Sequence, residues 1–248
     1  MKQLSVRLAA VIFIISIVGC EKTETKVFRD KADVKKCPIS QINYSTCCNY
    51  KDTMVFAYNS WGDPISITQL PFPKTGAPNY IFKYDKKRRL TEMLALYSGG
   101  SGGEVWHKYI YENPGNSNIV VDSTYYFPQF QNGTLISYYG ASASYLTYDK
   151  ADRIIKDSTV YQGTSTRVEN YVYDANGNLS GRLYDDRTNI NQTHAVWMFV
   201  NRDYSVNNPF VADTYNSEDL PTRINLPTES GARFFQFFRQ ATISYGCQ

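Results

Sequence analysis

The chain has 248 residues, 15% of them aromatic, with 26 basic against 23 acidic side chains and a formal net charge of +3. So even a balance leaves no electrostatic footprint for nucleic acid. The length is enough to bury a real core, and one all-β domain of about 200 residues is ordinary at this size.

At the N-terminus, Lys2 and Arg7 accompany an apolar run from Leu8 to Val18 that only Ser16 interrupts. A run of this kind engages the export machinery but falls short of the about 20 apolar residues that span hydrocarbon. It ends in Ile17-Val18-Gly19-Cys20, which resembles the bacterial lipobox. The resemblance implies that residues 1–19 are a signal peptide cut in front of Cys20, and that the Cys20 thiol receives diacylglycerol. Several acyl chains on one residue give durable anchoring where one is marginal. Position 21 is Glu rather than Asp, so the inner-membrane retention signal is not met. The address implied is the outer membrane, on its periplasmic or surface side. Cleavage removes Lys2 and Arg7 from the 26 basic residues and leaves 24 against 23 acidic ones. Residues 20–36, with Glu21-Lys22-Thr23-Glu24-Thr25-Lys26, read as a polar tether. Residues 37–248 read as a single β domain.

Four cysteines follow Cys20: Cys37, Cys47, Cys48 and Cys247. An even number in an exported chain implies two disulfides. Adjacent cysteines rarely bridge each other, so Cys47 and Cys48 are expected to pair separately with Cys37 and Cys247. One bridge then closes a small loop and the other ties the final strand to the first. The spacing lacks the two separated CxxC pairs of a zinc site.

Self-similarity is the strongest signal in the rest of the chain. Phe56-Ala57-Tyr58-Asn59-Ser60-Trp61-Gly62, Phe82-Lys83-Tyr84-Asp85, Tyr109-Ile110-Tyr111-Glu112, Leu146-Thr147-Tyr148-Asp149 and Tyr171-Val172-Tyr173-Asp174-Ala175-Asn176-Gly177-Asn178-Leu179 share one form, with a degenerate copy at Tyr215-Asn216. Successive tyrosines at 58, 84, 111, 148 and 173 lie 26, 27, 37 and 25 residues apart. Aromatic-x-Tyr places two rings on one face of a strand. Asp or Asn then starts a turn, Gly supplies positive φ, and Leu or Ile begins the returning strand. Each unit therefore predicts a β-hairpin. Asp152 and Arg89 are read at the glycine position of two copies, and the Arg89 turn is expected to differ because Arg tolerates positive φ poorly. Lys86-Lys87-Arg88-Arg89 is read as a solvated hairpin tip.

These segments resemble YD repeats, the units of the bacterial RHS family. Tyr84-Asp85, Tyr148-Asp149 and Tyr173-Asp174 match the motif by letter, and the resemblance covers roughly residues 54–226. It implies kinship with small lipoproteins of unknown function that form a curved, porin-like sheet. The fold class expected is all-β, an antiparallel meander of repeated hairpins forming a strongly curved sheet or open barrel. About a dozen twisted strands tend to curl. Asn207-Asn208-Pro209-Phe210 is expected to be an irregular or helical excursion, and Phe234-Phe235-Gln236-Phe237-Phe238 to be buried in the core.

No HExxH, GxSxG, P-loop or GxGxxG motif occurs. The two histidines, His107 and His194, are placed in strands or at their edges. Asp174, Asn176 and Asn178 have the spacing of a calcium-loop fragment without its bidentate Glu, and the turn explains them. Asp185-Asp186 is read as a turn pair pointing apart. No catalytic residue, metal or cofactor is assigned. The repeat tyrosines are read as sheet covering, while Trp106, Tyr138, Tyr139 and Trp197 lie outside the repeat and are the candidates for an exposed binding face. The function expected is a non-enzymatic binding or structural module of the cell envelope, anchored to the membrane through Cys20. Polysaccharide or another envelope protein is the expected partner.

Overall fold

A computed structural model describes residues 37–45, 51–112, 118–162, 165–225 and 240–247. The chain begins as a meander: β1 (Ile39–Ser45), β2 (Lys51–Tyr58), β3 (Pro64–Leu70), β4 (Asn79–Tyr84), β5 (Leu90–Leu96), β6 (Gly103–Tyr111) and β7 (Ile119–Tyr126). A separate two-stranded hairpin follows, β8 (Gln129–Gln131) and β9 (Thr134–Ser137). The meander resumes with β10 (Gly140–Tyr148), β11 (Ile154–Tyr161) and β12 (Ser165–Asn170). After a short helix, α1 (Ala195–Asn201), the chain returns as β13 (Thr214–Tyr215), β14 (Pro221–Asn225) and β15 (Gln240–Tyr245). All pairings are antiparallel, and β15 docks on the free edge of β1. The result is one 13-stranded sheet, β12-β11-β10-β7-β6-β5-β4-β3-β2-β1-β15-β14-β13, with β12 and β13 at its edges. The all-β meander expected from the hairpin repeats is therefore the observed fold, and the sheet does not close into a barrel. No helix among the described residues is long and apolar enough to cross a membrane.

Five of the repeats fold into the same turn. One oxygen of Asn59, Asp85, Asp149, Asp174 or Asn216 accepts the backbone N–H groups two and four residues on, at 2.9–3.0 Å in every copy. The side chain thus substitutes for backbone partners that a tight bend lacks. The third residue after it takes positive φ: Gly62 82°, Arg88 64°, Asp152 56°, Gly177 82° and Asp219 59°. Arg88, and not Arg89, holds the glycine position, and its turn does not differ from the others. The left-handed conformation costs an L-residue roughly 1–2 kcal/mol. Here the two Asp85 bonds offset it, as does the Arg88 guanidinium, which pairs with Asp63 of the neighbouring turn at 2.7 Å. Arg89 instead pairs with Asp85 and lies 4.2 Å from the centre of the Tyr111 ring. Arg153 repeats the arrangement with Asp149 and Tyr173, also at 4.2 Å. The basic run is at a turn, as read, but two of its members are paired rather than solvated. Burial opposes ionisation of Asp85, and the Arg89 amide and guanidinium outweigh it, holding the carboxyl below its ordinary value.

Four repeat tyrosines and Tyr245 of β15 make one kind of tie to a neighbouring strand. The hydroxyls of Tyr58, Tyr84, Tyr111, Tyr148 and Tyr245 donate to the carbonyls of Ile39, Pro64, Leu90, Ile119 and Pro221 at 2.7–2.9 Å. Each acceptor is the first residue of a strand, β1, β3, β5, β7 or β14. Burial pushes all five hydroxyls above the ordinary tyrosine value.

The inner face of the sheet is filled by α1. Its first six residues, Ala195-Val196-Trp197-Met198-Phe199-Val200, are apolar on every side, which fits a helix enclosed by other elements. Trp197 meets Phe56 of β2 and Phe82 of β4 edge-on, with centroids 5.7 and 5.5 Å apart. Phe199 meets Tyr109 of β6 at 5.1 Å. Arg202, at the helix C-cap, reaches Asp122 of β7 and Asp157 of β11. In a flat sheet β2 and β11 would be seven spacings of ~4.8 Å apart, about 34 Å. A seven-residue helix is only ~10 Å long. One short helix touches both wings because the sheet curls around it.

The helix was not anticipated. His194, read as strand or strand edge, is its N-cap, with Nδ1 accepting the Val196 N–H at 3.1 Å. His107 does lie in a strand, β6. The Asn207–Phe210 stretch is irregular, with a single bridge from Asn207 to Thr188. Asp174 serves its turn, and Asn178 is buried against Asn207. Asp185 accepts the Tyr215 hydroxyl at 2.8 Å, while Asp186 is exposed beside Arg187, so this pair points apart as read.

Disulfide pairing departs from expectation. Cys37 bridges Cys247, 210 residues away, so neither pairs with Cys47 or Cys48. The cause is register. Ile39 faces Tyr245 across β1 and β15, which brings residues 37 and 247 together with Cα atoms 4.2 Å apart. The tie between the first and final strands is made, by Cys37. Cys20, Cys47, Cys48 and Phe234–Phe238 lie outside the described residues.

Candidate binding sites on the two faces of the sheet

Strand alternation sends neighbouring residues of β6 to opposite faces. Trp106 points outward, and Val105 and His107 point inward. Directly across from Trp106 on β7 is Tyr125, with ring centroids 5.3 Å apart. The β8–β9 hairpin folds beside them and adds Phe130, 5.7 Å from Trp106, while Tyr138 meets Tyr125 at 5.1 Å. Tyr139 and Phe127 form a further edge-to-face pair at 6.3 Å. Trp106 is oriented by its indole N–H, which donates to Glu92 at 2.9 Å, and the Lys108 ammonium lies 4.8 Å from its ring centre. Tyr138 and Tyr139 are 46% and 86% exposed. Phe127 holds a φ of 49°, rare for a bulky residue, and its N–H donates to the Glu104 carbonyl at 2.9 Å.

Two of the four candidate binding residues, Trp106 and Tyr138, thus meet through Tyr125 on one outer patch, and Tyr139, next in sequence to Tyr138, is exposed and pairs with Phe127. The fourth lies elsewhere. Trp197 is 0% exposed at the centre of the core. It belongs to the apolar helix and not to a strand with a solvent face.

On the inner face a second constellation appears, which sequence reasoning missed. Arg202 donates to Asp122 at 2.6 Å, to Asp157 at 3.3 Å and to the Phe199 carbonyl at 2.9 Å. Asp122 also holds His107 Nδ1 at 2.8 Å, and Thr124 Oγ1 lies 3.0 Å from the same nitrogen. Thr159 donates to Asp157 and bonds Ser144, extending the network onto β10. Asp122, Asp157 and Arg202 are each buried. Burial opposes ionisation of Asp122, but His107 and Arg202 outweigh it and hold the carboxyl down to about 2. Burial likewise disfavours the Arg202 charge, and the two aspartates outweigh it and keep the guanidinium above its ordinary value. A cavity of about 220 Å³ opens beside the cluster, between α1 and strands β4 to β7.

A signal for this cluster was present. Ile119-Val120-Val121-Asp122-Ser123-Thr124 and Ile154-Ile155-Lys156-Asp157-Ser158-Thr159 are two copies of one pattern. Aspartate is depleted in strands. An Asp placed in mid-strand twice, at the same distance from a buried Ile, calls for a buried cation.

No protein-family model matches the chain, and no curated protein matches it.

Proposed function

We propose that the protein is a lipid-anchored, non-enzymatic binding module of a bacterial outer membrane, built from YD-like hairpins and held to the membrane through Cys20. The lipobox-like Ile17-Val18-Gly19-Cys20 supports the anchor. The observation that carries the binding role is the outer patch of Trp106, Tyr138 and Tyr139. These rings take no part in the repeat framework, Phe130 of the extra hairpin packs on Trp106, and Tyr138 and Tyr139 are exposed. Exposed tyrosine and tryptophan rings, with an amphipathic body and a polar tip, favour stacking on the C–H faces of sugars. The ligand this reading favours is therefore a polysaccharide.

A glycan array probed with the purified protein tests it. Binding to at least one polysaccharide is expected, with a loss of at least tenfold in the Trp106→Ala, Tyr138→Ala double variant. Absence of binding across the array, or binding indifferent to both substitutions, sinks the glycan reading.

A further inference from the structure

The cavity beside Arg202 is lined by Tyr80, Met93, Val105, His107, Tyr109 and Val200, with Asp122 and Arg202 in its wall. We infer that it is a binding pocket for a small neutral polyol, a single sugar ring or smaller. The inference does not rest on the aromatic-face reading, because this pocket opens on the other side of the sheet.

Hydrogen-bonding capacity is the first argument. A carboxylate only accepts, so His107 Nδ1, bonded to Asp122, carries a proton, and Nε2 is a second polar atom of the ring. Nε2 has no hydrogen bond among the described residues. The Tyr109 hydroxyl, on a side chain only 6% exposed, has none among them either. Arg202 uses one N–H each toward Asp122, Asp157 and Phe199, so two of the five donors of a guanidinium remain. A histidine, a tyrosine and an arginine with hydrogen-bonding capacity left around one cavity suit a polar occupant.

Charge and shape narrow the class. In the wall the Asp122 carboxylate stands beside the Arg202 guanidinium and offsets its charge, which disfavours an anion. Arg202 itself lies in the wall, which disfavours an ammonium, and both Asp122 oxygens are already engaged by His107, Thr124 and Arg202. A neutral hydroxyl group both donates and accepts, so it can serve the guanidinium, the Tyr109 hydroxyl and His107 Nε2 alike. Met93, Val105 and Val200 supply an apolar wall for C–H groups. At about 30 Å³ per water, a cavity of about 220 Å³ has room for one ring and not for a chain.

Isothermal titration calorimetry on the purified protein tests the inference, with D-glucose, D-galactose, N-acetyl-D-glucosamine and glycerol as probes. D-glucuronate and ethanolamine serve as the anionic and cationic arms. At least one neutral probe should bind at one site per chain, and the two charged probes should bind more weakly or not at all. Tyr109→Phe keeps the ring and removes the hydroxyl, and should weaken binding about tenfold. His107→Gln, at a half-buried position, should do the same and carries the test if Tyr109→Phe does not fold. Trp106→Ala should leave this binding unchanged, which separates it from failure or success of the outer patch. No binding of any neutral probe overturns the pocket. So does tighter binding of glucuronate or ethanolamine, binding undiminished in the folded pocket variants, or binding lost only with Trp106→Ala.

Discussion

Single hydroxyls and carboxylates do much of the joining in this molecule. The tyrosine hydroxyls that reach the first carbonyl of a neighbouring strand convert a repeated letter into a repeated clamp. Tyr84→Phe removes the bond to Pro64 and should cost about 1 kcal/mol in urea unfolding without changing the circular dichroism spectrum. These buried hydroxyls also give stability a pH dependence. Their native values are raised, so the contribution is full below the unfolded tyrosine value of about 10 and is lost as pH rises from there through the native values. The unfolding midpoint should accordingly fall steeply above about pH 10. Asp122 behaves oppositely. Its contribution is present above the unfolded aspartate value of about 3.9 and is lost as pH falls toward its native value of about 2. An acid titration followed by near-UV circular dichroism reads that loss. At this scale the turn chemistry was legible, since Asp-x-x-Gly encodes its own bend. The tolerance of Arg88 for positive φ was not, because the Asp63 carboxylate that supports it belongs to a different hairpin.

Among elements, the strands and α1 differ in how they are encoded. The strands carry period-two patterning and turn residues at their ends, so their existence and hairpin order followed from the sequence. α1 is seven residues long and its first six are all apolar, so neither length nor periodicity distinguishes it from a buried strand. A helix this short is marginal alone and forms because the curled sheet encloses it. Trp197→Ala should destabilise by about 3–5 kcal/mol in denaturant titration, since it empties the space between β2 and β4. Arg202→Ala should cost a similar ~3–5 kcal/mol by stranding two buried aspartates. The outer patch was legible only in its residues. Trp106, Tyr138 and Tyr139 stood out because they fall outside the repeat, but the meeting of Trp106 and Tyr138 through Tyr125 is set by strand register and packing.

Across the whole molecule, the curl of the sheet and the Cys37–Cys247 bridge work on the same boundary. That bridge closes most of the chain into one loop. Reduction, or Cys247→Ser, should lower stability by about 2–5 kcal/mol, read as a shift in the guanidinium midpoint. The partner choice was invisible to composition, because register between β1 and β15 decides it and those strands are about 200 residues apart.

The placement of β1 has a temporal consequence. It is the first strand of the sheet in sequence, yet it sits in the interior of the order, with β2 on one side and β15 on the other. A chain that emerges N-terminus first can extend the sheet from β1 in one direction only. Its other flank stays an open template for the whole interval before β15 arrives. Any foreign strand that reaches that flank first would occupy the place of β15 and keep Cys37 from Cys247, so formation of this one bond marks the moment at which the sheet has chosen its own ending.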